Sequence, residues 1–135
     1  MDMPLELSAI DGAQELYSWF GYWPSFHDAE LLELRLVRDG SSSLKIYTWE
    51  MTDEVDRLGH YVLTKHVVVE IFMRDISALS LSGFSHQNVL SCVVLEKADT
   101  GFVVTLDDCF GIGGAITTGE ISIRVTPGEI QKCTD

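Results

Sequence analysis

Positive charge is what this sequence has least of. Nine Lys and Arg stand against 21 Asp and Glu, a formal net charge of −12. Nucleic acid and anionic membrane are bound through basic patches, so neither is an expected partner. A basic protein surface is the electrostatically favoured partner, mainly through faster encounter. Cysteine is also scarce. Cys92, Cys109 and Cys133 are an odd number without CxxC spacing, which argues against both a disulfide framework and a zinc knuckle. Cys92, inside the apolar run SCVVL, reads as a small core residue. No stretch approaches the roughly 20 apolar residues of a membrane span, and the N-terminus lacks a basic, then apolar, leader pattern. The expected compartment is the cytoplasm. With 135 residues and no low-complexity linker, one domain over 1–135 is expected, compact from about 8 to 127 with a frayed C-terminal tail.

What is there is strand periodicity. Asp11 to Phe20 reads as a short helix, with Asp11 as its cap, Leu16, Trp19 and Phe20 at helical spacing, and Gly21 ending it. From Asp28 the period changes to two. Leu32, Leu34 and Leu36 alternate with Glu33, Arg35 and Val37, and Leu32 is assigned to the core. Asp39-Gly40 predicts a turn into a second strand, with Leu44 and Ile46 on one face and Lys45, Tyr47 and Trp49 on the other. A polar stretch from Glu50 to Tyr61 reads as a loop. HVVVEIFMRD then reads as a central or doubly covered strand, Arg74-Asp75 as a turn, and four further strand-like runs follow up to Pro127. About seven short strands with short connections predict an α+β, mainly β fold. The expectation is a mostly antiparallel, twisted sheet, a meander that curls on itself, with one N-terminal helix packed on it.

Catalytic and metal constellations are poorly supported. His66 and Glu70 flank a Val-Val-Val run, which on a strand sets them about 13 Å apart. A GxSxG elbow is absent, and FGIGGAI lacks the ending of a phosphate loop. No cofactor or metal is implied, and a non-enzyme is expected. The alternatives left open are a small His/Asp metal-dependent enzyme using His27, Asp28 and His60 or His66, and a subunit that forms a homodimer or larger homo-oligomer through an exposed strand edge. More informative is the run of Glu50, Asp53, Glu54 and Asp56 directly after Trp49. Four carboxylates within seven residues would make an acidic loop able to clamp a basic surface.

The most individual segment is FGYWPSFHDAELLEL. Trp23 and Phe26 would plug the gap between helix and sheet, and His27 or Asp28 could bond backbone groups at the strand entrance. The segment WPSFHDAEL, with the family-like residues Trp23, Pro24, Phe26, His27 and Asp28, resembles the immunity protein 50 family. The strand ending YTWE and the stretch GFSHQNV extend the likeness from about residue 15 to 127. The resemblance implies an intracellular bacterial non-enzyme that binds and neutralises a cognate toxin domain of a polymorphic toxin system. Immunity proteins against nucleases are often acidic, since they cover a basic cleft. On this reading Tyr47, Trp49, Glu50, Asp53, Glu54 and Asp56 are the expected partner-binding residues.

Overall fold

Along β2 (Ser42–Val55) and β3 (Tyr61–Ser82), alternate residues are withdrawn from solvent: Leu44, Ile46 and Thr48 on the first, Val67, Val69, Ile71 and Met73 on the second. This is the two-residue period of strands that bury one face. A computed structural model describes residues 3–129 and shows where that face points. Six strands form a closed barrel, and β1 (Glu30–Arg35), β4 (Val89–Lys97), β5 (Phe102–Phe110) and β6 (Gly113–Pro127) complete it. The order around the barrel is β1-β2-β3-β6-β5-β4, with every strand pairing antiparallel. The expected α+β, mainly β architecture is the one adopted, and the curling sheet closes through the Glu30–Val89 pair. Of the tail expected to fray after Pro127, Gly128 donates its N–H to the His66 carbonyl at 2.9 Å and Glu129 lies 3.6 Å from the His66 ring, while residues 130–135, Cys133 among them, lie outside the described residues.

The N-terminal segment packs against the barrel. A short 3-10 turn (Leu5–Leu7) and the helix α1 (Ala13–Phe20) deliver Leu7, Ile10, Ala13, Leu16 and Phe20 to the core. Asp11 does not cap the helix. Its carbonyl instead accepts the Ile123 N–H at 2.7 Å, and Gly12 is the N-cap in a left-handed conformation. A Cβ at position 12 would overlap the Ile123 carbonyl, so glycine is required there. Gly21 ends the helix in the left-handed region, as its position predicts.

Several sequence expectations change. There are six strands rather than about seven, because Arg74-Asp75 does not turn the chain. β3 runs through it, absorbing a positive φ at Asp75 and a bulge between Ile76 and Ala78. A bulge between Leu31 and Glu33 likewise resets the alternation of β1. Leu31 is therefore the buried residue, while Leu32 and Leu36 are exposed. Cys92 is half-buried rather than core, and its thiol donates to Asp107 at 3.1 Å, which with burial pushes it up in pKa. Among the described residues no helix is long and apolar enough to cross a membrane.

Candidate functional site

The stretch expected as an acidic loop is a β-hairpin arm. Pairing of β2 with β3 continues beyond the barrel body through Glu50–Thr64, Met51–Leu63 and Val55–Tyr61. Among the described residues, no third strand pairs with this portion: β1 reaches β2 only up to Tyr47, and β6 reaches β3 only from Val67. Asp56 builds the turn at the tip. Its carboxylate accepts the N–H groups of Leu58 (2.9 Å) and His60 (3.0 Å), and Gly59 supplies the left-handed residue. Directly opposed residues share a face of a hairpin, and so do positions two apart on one strand. Met51, Val55, Tyr61 and Leu63 therefore line one face of the arm, with Leu58 at its tip. All five are 38–80% exposed. Asp53, Glu54 and Asp56 lie exposed among them.

At its root the arm is bolted to the body. The Tyr22 hydroxyl donates to Glu50 Oε2 at 2.8 Å, and Lys65 Nζ lies 3.5 Å from the same oxygen. Lys65 also donates to the Phe20 carbonyl (2.9 Å), while its own carbonyl accepts the Trp19 indole N–H (3.0 Å). Burial, followed by the Glu50 hydrogen bond and charge, pushes Tyr22 up to about 12. Glu50 is thus held by neighbours within the chain, unlike Asp53 and Glu54 farther out. Between root and body lies a cleft of about 190 Å³, lined on one side by Trp49, Glu50 and Met51 and on the other by Tyr22, Phe26 and His27. The fold brings together residues singled out for two separate sequence reasons, the strand ending in Trp49-Glu50 and the Pro24–His27 segment.

Not every expected residue is on this surface. Tyr47 is only 7% exposed. Its ring stacks on His66 and packs on Trp49, and its hydroxyl is 2.7 Å from His66 Nδ1. Burial, then the charges of Glu129 and Glu30, pushes Tyr47 up in pKa. Trp23 and Phe26 are buried in the core. Phe26 and Asp28 both take positive φ, 64° and 63°, uncommon for a bulky residue. The tight turn this creates points the Phe26 ring inward and lets the Asp28 N–H reach the Leu90 carbonyl (2.9 Å). Exposed His27 sits 3.5 Å from the Asp28 carboxylate and 3.3 Å from the Ser91 carbonyl.

The histidines are dispersed. His60 is at the arm tip, whereas His66 lies between Tyr47 and Glu129. No three His, Cys, Asp or Glu side chains among the described residues are placed to hold a metal ion. What the sequence reading missed is the apolar half of the arm and its anchors Tyr22 and Lys65. The signal was present: Met51, Val55, Tyr61 and Leu63 are strand formers flanking a Gly59 turn, masked by the carboxylates between them. The model of a family described as immunity protein 50 matches residues 12–127, most of the chain. No curated protein and no solved structure matches.

Proposed function

The chain belongs to the immunity protein 50 family, and from that premise we propose that it binds and neutralises a cognate bacterial toxin domain through the β2–β3 arm. The observation that carries this reading is the arm's composition. An apolar face that covers no core has no folding role, and such exposed patches mark interaction surfaces. Its carboxylates suit a basic counterpart, such as the nucleic-acid cleft of a nuclease toxin. Neutralisation is then steric occupation, with no bond made or broken by this protein, which acts as a non-enzyme inside the cell that makes the toxin.

Roles divide by chemistry. Tyr61, Leu58, Val55 and Met51 are the desolvating anchors of a standard interface of about 1,600 Å². Asp53 and Glu54 steer the encounter and face basic side chains at its rim. Trp49 and His27 flank the cleft at the foot, with room for one projecting side chain of the partner. Tyr47 stiffens Trp49 from beneath, and Asp56 preserves the turn. Co-expression with the toxin domain encoded immediately upstream tests the reading. Cells should survive with the parent chain and die when Leu58 and Tyr61 are both replaced by Ala. Death with the soluble, folded parent chain would overturn the proposal.

A further inference from the structure

The second feature without a folding role is at the other end of β3. Pairing with β2 stops at Ser42–Met73, yet β3 continues to Ser82 with β6 along one edge alone. Among the described residues, nothing pairs with its other edge beyond Met73. A strand edge presents N–H and C=O groups ready to pair with another extended chain, and soluble proteins normally blunt it with charge or proline. Past the exposed charged pair Arg74-Asp75, neither device is used. From Ile76 to Ser85 no residue carries a formal charge and none is proline, in a chain of net charge −12. The bulge at Ile76–Ala78 guards only the start; Ala78 to Ser82 keep regular register with Thr117 to Gly113. Beside this edge is an open, mainly apolar groove lined by Leu36, Val37, Ile76 and Leu79, with Ser42 and the exposed Arg38 at its margin. Of these, Leu36 and Leu79 are about half exposed, at 52% and 42%.

We infer that this edge pairs with the same edge of a second copy of the chain, forming a two-fold antiparallel dimer. Charge selects the occupant. A basic toxin is drawn to carboxylates, which the stretch from Ile76 to Ser85 lacks, whereas a second copy brings an equally uncharged stretch. An antiparallel pairing centred on Ser80 sets Ala78 against Ser82 of the second copy and opposes no two like charges. The same patch used on both copies satisfies a closed two-fold interface. Along β3 the path from Leu63 to Leu79 is roughly 50 Å, so dimerisation leaves both arms free. The inference stands apart from the toxin reading, and either can fail alone.

Sedimentation equilibrium of the full chain across the micromolar range tests it. The mass should rise from monomer toward twice that value with concentration. Added salt should tighten the dimer, because it screens repulsion between two acidic bodies while leaving the uncharged contact intact. Ser80→Lys and, separately, Ser82→Lys should each give a monomer with unchanged circular dichroism and thermal midpoint. Val94→Lys, an exposed change on β4, should leave the dimer as it was. A monomeric parent at every concentration overturns the inference. So does a dimer that survives both edge lysines, or one that salt dissociates.

Discussion

Tyr22 is the residue on which body and arm meet, and its titration gives a way to observe that junction. Its hydroxyl is pushed up to about 12 by burial and by Glu50, against about 10 in an unfolded chain. The native state holds this proton more tightly, so the contribution to stability is fully present below pH 10. It is lost as pH rises through 12. Tyr22→Phe should therefore flatten the fall in stability between pH 10 and 12, measured by denaturant midpoints across that range. Asn88 is a second residue whose importance the sequence hides. It is 5% exposed, its Oδ1 accepts the N–H groups of Ser85 and Ile112, and its Nδ2 donates to the Ser85 carbonyl. Asn88→Ala strands two backbone donors, one of them buried, and should destabilise the fold by about 2–4 kcal/mol with an unchanged m-value. In sequence, Asn88 is merely a polar residue before a strand. Which backbone groups it serves depends on the β5–β6 connection, 24 residues away.

At the scale of elements, the arm is the part that folding does not need. A two-stranded ribbon is marginal alone, and this one is held at its root by Glu50, Tyr22 and Lys65. Replacing Thr52–Val62 with a short turn should change global stability by less than about 1 kcal/mol, because no core side chain is removed. The same deletion should abolish protection from the toxin. Finer changes should separate the two chemistries of the arm in surface-binding kinetics. Tyr61→Ala should raise the dissociation rate by about 30-fold, corresponding to about 2 kcal/mol for an anchor. Reversing Asp53 and Glu54 to Lys should mostly slow association. The elements themselves were largely legible, since α1 and the cores of β2 and β3 follow from periodicity. The arm was misread as a loop because acidic residues disfavour strands on average. Cross-strand pairs such as Met51–Leu63 and Val55–Tyr61 join residues that no local window compares.

For the whole molecule, the net charge of −12 makes salt a discriminating variable. Association of the arm with a basic toxin should slow as ionic strength rises, while pairing of two uncharged β3 edges should strengthen. Stopped-flow association rates and sedimentation, run at matched salt, should move in opposite directions. A shared direction would mean that one of the two surfaces has been assigned the wrong partner.

Composition and periodicity by themselves determined the acidity, the mainly β class and the N-terminal helix, and the WPSFHDAEL segment carried the resemblance to the family. These are local or summed properties, carried by each residue's own chemistry and that of its near neighbours. Tertiary structure alone decided that the sheet closes into a barrel and that Tyr47 lies beneath Trp49. It also decided that Glu50 is held by Tyr22 and Lys65 while Asp53 and Glu54 stay exposed, and that β3 outruns β6 at its start and β2 at its end. Each depends on the register of strands far apart in sequence. A bulge of one residue in that register reverses which side chains face the core.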